Sequence, residues 1–404
     1  MYEIEKPVSM GFETKIEKSK LYERWRSAKT APAHLRQFVA TNGKRIDPME
    51  LALDKYCTRS LYIPSVHLYE VGLSYKDFLN RVSRVSFDKR LLTVQEAICG
   101  IENETDFGSI SRGSSPGFPF NQEFHAGFRG KEWWFGKELQ YDLAREPCME
   151  LIKRVEYIVE SAKQNKRLEH IFMDCLKDER RSIEKVRSGK TRLFSGCPMD
   201  LLIAYRMYFG SFMVWFIKNK IDNGSAIGIN PYSIDWHYLA TNLKRFRDNR
   251  KSVGAGDYSR YDGSEKPDIH WEIFKIIDAW YDDGIVNSRV RKILWLELVN
   301  SKHVKGKIIY AWTSSLPSGH PLTALVNTMY NNIAFRYCWF VAHDYDIVEL
   351  GKFDDNVYMC AMGDDNVFNV ARKRRKSFNE QSIATHMRCL GLTYTNETKE
   401  VGEE

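Results

Sequence analysis

Four aspartates fall where carboxylates could act together. Asp364 and Asp365 lie in Tyr358-Met-Cys-Ala-Met-Gly-Asp-Asp-Asn-Val-Phe-Asn-Val370, two short apolar runs around a Gly-Asp-Asp turn. The pattern predicts a β-hairpin, with Gly363 supplying the permissive backbone of the turn. Adjacent carboxylates repel each other, and a divalent cation relieves that repulsion. The same pair also suits an ordinary solvated turn, so the hairpin alone leaves both readings open. Upstream, Val253-Gly-Ala-Gly-Asp-Tyr-Ser-Arg-Tyr-Asp-Gly263 puts Asp257 and Asp262 five residues apart. A strand running into a turn would bring both near one site with different reach.

Cations and neutral polar groups complete the set. Between Leu176 and Arg192, seven basic residues (Lys177, Arg180, Arg181, Lys185, Arg187, Lys190, Arg192) outnumber the acidic Asp178, Glu179 and Glu184. Ser188-Gly189 suggests two strands joined by a turn. Alternation with apolar positions would aim a row of cations one way, suited to a triphosphate or an RNA backbone; the competing reading is a solvated face. Leu316-Pro-Ser-Gly-His-Pro-Leu-Thr-Ala-Leu-Val-Asn-Thr328 is a glycine-containing loop opening a helix predicted to run to about Ala342. Thr323 and Asn327 share one face of it, either as working polar groups or as satisfied core groups. Arg112-Gly-Ser-Ser-Pro-Gly-Phe-Pro-Phe120, dense in Gly and Pro, reads as a rigid loop lying over another surface.

The elements that must position these residues are those of a well-packed α+β protein. Hydrophobic residues make up 43% and aromatics 13% of the 404 residues, which excludes a disordered chain. The formal charge of +7 favours an anionic partner. Eight scattered cysteines, with no Cys-x-x-Cys pair, read as reduced thiols and exclude a disulfide framework or structural zinc. Leu201 to Ile217 is the most apolar window; interrupted by Arg206 and short of the ~20 residues of a span, it reads as a buried core helix. Helices are predicted from about Asp268 to Tyr281, where Pro267 suits a first turn, and from Ser377 to Leu390, with Phe378, Ile383, Met387 and Leu390 inward and Gly391 as the stop. The basic run Arg372 to Lys376 reads as exposed surface, and residues 1 to 100 carry no legible function.

In this order the pieces resemble the RNA-directed RNA polymerases of positive-strand RNA viruses, in the picornavirus-like group that includes dicistroviruses and iflaviruses. The resemblance covers roughly Arg112 to Lys399. Lys177-Asp-Glu-x-Arg181 with Lys185, Lys190 and Arg192 looks like the family's nucleotide-entry motif of the fingers. Asp257-Tyr-Ser-Arg-Tyr-Asp262-Gly263 and Gly363-Asp364-Asp365 look like its two carboxylate motifs. Ser318-Gly319 with Thr323, Asn327 and Thr328 is similar to its ribose-sensing motif, and Gly391-Leu-Thr-Tyr-Thr-Asn-Glu-Thr-Lys399 to the segment whose lysine is the proton donor. Met362 departs from the tyrosine usual before Gly363, which implies tuned activity rather than loss.

The resemblance implies a right-hand polymerase: fingers plus a palm whose antiparallel, ferredoxin-like sheet carries the Gly-Asp-Asp hairpin. It assigns 1–204 to the N-terminal region and fingers, 205–297 to the first part of the palm, 298–313 to a fingers insertion and 314–404 to the second part of the palm. A primer-gripping hairpin and thumb follow in the family, whereas this chain stops five residues after Lys399; the expectation is a thumb that is absent or truncated, and almost no extension by the bare chain. The implied reaction is template-directed nucleotidyl transfer from ribonucleoside triphosphates to an RNA 3′-hydroxyl with release of pyrophosphate, using two Mg²⁺ (or Mn²⁺) ions. Asp257 and Asp364 would hold both ions, with Asp365 and the carbonyl of Tyr258 supporting. Lys177, Arg181, Lys185 and Arg192 would neutralise the triphosphate; Asp262, Ser318, Gly319, Thr323 and Asn327 would read the ribose; Lys399 would protonate the pyrophosphate. Expected partners are template and nascent RNA and other viral replication proteins, in the host cytoplasm at membrane-associated sites, with no transmembrane segment in this chain. Two alternatives are an inactive palm remnant serving as an RNA-binding scaffold, and a reverse transcriptase. The latter excludes the 2′-hydroxyl with a bulky side chain, where Asp262 and Asn327 are polar.

Overall fold

The apolar runs on either side of Gly363 pair as predicted in the computed structural model, which describes residues 2–8, 11, 13–57, 61–246 and 253–396. Strand β11 (Val357–Met362) and strand β12 (Asp365–Val370) are antiparallel, closed by the Met362↔Asp365 pair. Gly363 takes φ 69° in the turn, a left-handed conformation that costs glycine nothing. The hairpin forms half of a four-stranded sheet in the order β11-β12-β8-β13, with β8 at Val253–Ser259 and β13 at Thr393–Asn396. Every pairing in it is antiparallel.

The helices on this sheet follow from the periodicities. Pro267 occupies the first turn of the helix Pro267–Tyr281, and Ile269, Ile273, Ile277 and Trp280 are buried. The helix Thr323–Ala342 is buried over most of its circumference, which its weakly amphipathic sequence requires. Asn379 caps the helix Glu380–Met387 through a capping box with Ser382. A 3₁₀ turn continues to Leu390 and ends at left-handed Gly391; the predicted inward residues Phe378, Ile383, Met387 and Leu390 are all buried. Strand, helix, strand, strand, helix, strand, with β8 between β12 and β13, is the ferredoxin-like arrangement.

A second sheet has the order β1-β10-β9-β5-β7, made from Tyr2–Glu3 (β1), Ile308–Ala311 (β10), Lys302–Lys305 (β9), Ile171–Leu176 (β5) and Leu193–Gly196 (β7). Strands β5 and β9 run parallel; the other neighbours are antiparallel. Two short ladders complete the strands, β2 (Thr30–Pro32) with β6 (Arg180–Ser182) and β3 (Phe38–Val39) with β4 (Arg45–Ile46). Residues 302–311 therefore leave the helical layer and join the sheet of residues 171–196.

Two expectations are corrected, and the domain division stays an expectation. Residues 176–192 are not two strands about a turn: β6 gives way at Ile183 to a single helical turn, Ile183–Arg187, because Glu184, Lys185 and Arg187 favour a helix and Gly189 (φ 69°) stops it. The boundaries after 204 and 297 fall inside the helices Met199–Lys218 and Ile285–Val299, whose buried faces pack into one shared core. The apolar helix Met199–Lys218 spans 20 residues, long and apolar enough to cross a membrane, and 72% of its apolar window is buried against the rest of the fold. All eight cysteines are free thiols.

Candidate active site

Strand β8 delivers Asp257 beside the hairpin tip. Its register with β12 pairs Gly256 with Asn366, so Asp257 lies one step beyond, alongside Asp364 and Asp365. The Asp257 carboxylate accepts the Tyr258 amide at 2.9 Å. Burial raises the Asp364 carboxyl above its ordinary range, and the charges of Asp365 and Asp257 push the same way against local backbone donors. Two segments a hundred residues apart in sequence thus meet as mutually repelling carboxylates.

The tip is held from behind by the helix Thr323–Ala342. Gly363 N donates to Thr328 Oγ1 at 2.9 Å, and Asn331 Nδ2 donates to the carbonyls of Gly363 and Asp364 at 3.0 and 3.2 Å. Asn331 Oδ1 accepts the Tyr258 hydroxyl at 2.9 Å, so one amide ties both carboxylate strands together. Tyr394 of β13 donates to Asn366 at 2.9 Å, and Asn366 donates to the Asp364 carbonyl at 3.3 Å.

Asp262 sits on a single helical turn, Tyr261–Ser264, entered through left-handed Arg260 (φ 59°). Asn327 Nδ2 donates to Asp262 Oδ1 at 2.8 Å, and the Tyr261 hydroxyl donates to the Asn327 carbonyl at 2.9 Å. Burial pushes the Asp262 carboxyl up to about 6; Asn327 opposes the shift, Asp364 adds to it and Arg192 opposes it. Asn327 Oδ1 is buried and has no partner among the described residues, an acceptor left open beside the Asp262 carboxylate. The Thr323 hydroxyl donates to the Pro317 and His320 carbonyls at 3.1 and 2.7 Å, which commits its single proton to the loop. Ser318 Oγ lies 3.4 Å from the Ser195 amide, and Gly319 forms a parallel bridge with Gly196.

The cations come from several elements. Arg192, just before β7, forks onto Glu179, which Arg181 approaches at 3.5 Å and Lys177 at 4.0 Å. The hydrogen bonds to Glu179 hold Arg192 above its ordinary range, and Asp364 and Asp262 contribute. Arg192 is therefore the link between the basic segment and the carboxylates. Lys55, which the sequence did not single out, has its pKa lowered by burial and by the charges of Arg181, Arg260, Lys190 and Lys185. Three cations of the basic segment, together with Arg260, thus crowd one lysine from a short 3₁₀ turn that has no motif to betray it. Asn331 was also missed, although it extends the Thr323, Asn327 row by one more step of four. Lys399 lies outside the described residues.

The donor set suits a hard divalent cation: carboxylates only, with Asp364 destabilised by its neighbours in a way that a cation would reverse. Among the described residues no three acidic, His or Cys side chains are gathered into a preformed metal cluster.

The comparisons with known proteins bear on the family and the fold. The chain is 32% identical over 408 residues to the replicase polyprotein of Cricket paralysis virus, covering 97% of this chain and 23% of the relative. It is 34% identical to that of Acute bee paralysis virus (98% and 21%) and 37% identical to that of Drosophila C virus (77% and 18%). The chain spans about a fifth of the length of these curated relatives. A solved structure, the Sicinivirus 3Dpol RNA dependent RNA polymerase, shares the fold at a TM-score of 0.74 and 23% identity, over 98% of this chain and 76% of that one. The profile of the family described as viral RNA-dependent RNA polymerase matches residues 22–403, and the chain belongs to that family.

Proposed function

We propose that this domain joins ribonucleoside triphosphates to the 3′-hydroxyl of a nascent RNA under the direction of an RNA template, releasing pyrophosphate, in viral genome replication. The observation that carries the reading is the convergence of Asp257, Asp364 and Asp262 with the cation Arg192 drawn from the opposite sheet. Asp257 and Asp364 would hold Mg²⁺ or Mn²⁺, with Asp365 and the Tyr258 carbonyl in support. Such ions would activate the hydroxyl and neutralise the leaving group.

The chain's own residues have separable tasks. Asn331 and Thr328 hold the carboxylate turn in place, so the reacting groups meet a fixed geometry. Arg192, with Arg181, Lys185 and Lys177, offsets the negative charge of the triphosphate, which must compete with Glu179 for the Arg192 fork. Asn327 Oδ1 and Asp262 offer acceptors for a ribose 2′-hydroxyl; a sugar lacking it leaves a buried acceptor unpaired. Thr323, its proton already used, acts by fixing the Pro317–His320 loop. Lys399 is assigned as the proton donor on resemblance alone. The partners are template and nascent RNA and, since the relatives are polyproteins, other viral replication proteins. Primer extension by the intact polymerase on RNA of defined sequence tests the reading: only the complementary ribonucleotide is incorporated, and no incorporation, or incorporation indifferent to the template base, overturns it.

A further inference from the structure

Beneath the ribose-reading loop lies a buried polar group that the reaction does not use. Asp174 of β5 accepts the Ser195 hydroxyl at 2.5 Å, His303 Nδ1 at 2.9 Å and the Tyr310 hydroxyl. His303 Nε2 lies 2.8 Å from Ser301 Oγ. The carboxylate requires a proton on Nδ1, and Nε2 shares a second hydrogen bond with the Ser301 hydroxyl. Asp174, Ser195, Ser301 and His303 are all 0% exposed. An acid, an imidazole and a hydroxyl in that order suit activation of a nucleophile, but no substrate reaches a serine so deeply buried. Burial and Asp174 both hold the Tyr310 phenol in its protonated form, so it stays a donor.

The group instead joins strands. Through it one carboxylate fixes β5, β7, β9 and β10 to one another, four of the five strands of the second sheet. Its outlet is Ser195, whose main chain meets the ribose-reading loop directly: the Ser195 amide faces Ser318 Oγ at 3.4 Å, and a Cβ added to Gly319 would collide with the Ser195 carbonyl. Backbone against backbone leaves no side chain between them to absorb a shift. The same loop leads into the helix that carries Asn327.

We propose that Ser195, anchored by Asp174 and His303, is a positioning residue that sets the height of the Ser318–Gly319 loop over the ribose and thereby sets sugar discrimination. This rests on the ribose-reading assignment above. The test measures single-nucleotide incorporation of a ribonucleotide and its 2′-deoxy analogue by the intact polymerase as parent and by its Ser195→Ala and Asp174→Asn variants, with thermal unfolding run alongside. Losing the anchor lowers the ribo-to-deoxy ratio roughly tenfold, the scale of one charge-assisted hydrogen bond, chiefly by slowing the ribonucleotide. An unchanged ratio in a folded Ser195→Ala, or an equal loss for both sugars, overturns the proposal. If Asp174→Asn fails to fold, Ser195→Ala decides alone, since it keeps the main-chain contact and removes only the anchor. A parent that incorporates neither sugar would instead refute the polymerase reading.

Discussion

Asp262 is a residue whose chemistry the site bends. Its carboxyl rises from 3.8 to about 6 on folding, so the folded state binds more protons than the unfolded state between those values. Stability from this group is present below about 4, falls as pH rises through that window and is fully lost above about 6. Asp262→Asn should therefore be more stable than the parent at pH 7, by up to about 3 kcal/mol, since each tenfold change in proton affinity corresponds to about 1.36 kcal/mol, and the gain should shrink toward pH 4. Urea unfolding at the two pH values checks this; a constant difference would contradict it. The same substitution, or Asn327→Ala, should narrow the ribo-to-deoxy incorporation ratio by ~1–3 kcal/mol, the effect of leaving a buried polar group unpaired. Arg192→Ala removes a cation that feels both Asp364 and Asp262, and it should raise the KM for every nucleotide while changing template affinity little. A change confined to template binding would move this cation to the RNA channel.

At the scale of elements, the helix Thr323–Ala342 does more than cover the sheet. Asn331 makes three hydrogen bonds between it and the carboxylate strands. Asn331→Ala should lower stability by ~1–3 kcal/mol and lower kcat more than it raises KM, because it loosens the turn without touching nucleotide. Stopped-flow incorporation alongside chemical unfolding separates the two effects, and an unchanged kcat would contradict the role. The hairpin, the helix from Pro267 and the helix Glu380–Met387 were legible because their alternation, periodicity and end signals are local. The helical turn within 176–192 was not, because a row of cations looks alike in a strand and in a helix, and the strand that precedes the turn is set by the β2–β6 pairing with residues 30–32. Lys55 and the Asp174–His303 group have no local signature either, since only long-range packing brings them to the site.

For the molecule as a whole, the ferredoxin-like sheet supplies the acids and the five-stranded sheet frames the cations, and the Gly196–Gly319 bridge ties the second sheet to the loop that opens the helix Thr323–Ala342. That division explains why fold and carboxylates could be expected from motifs, whereas the seam between the second sheet and this loop could not. With a formal charge of +7, RNA affinity should fall linearly in log–log form with salt, as counterion release requires. The central claim is that Asp257 and Asp364 act together on one transferring nucleotide. Single-turnover incorporation with Mg²⁺ by the intact polymerase and its Asp257→Asn and Asp364→Asn variants tests it most directly. Each substitution should slow the step by at least about a hundredfold, since each removes charge stabilisation where the transition state needs it, and the double variant should be scarcely slower than either single one. Incorporation by either variant within tenfold of the parent would contradict the assignment.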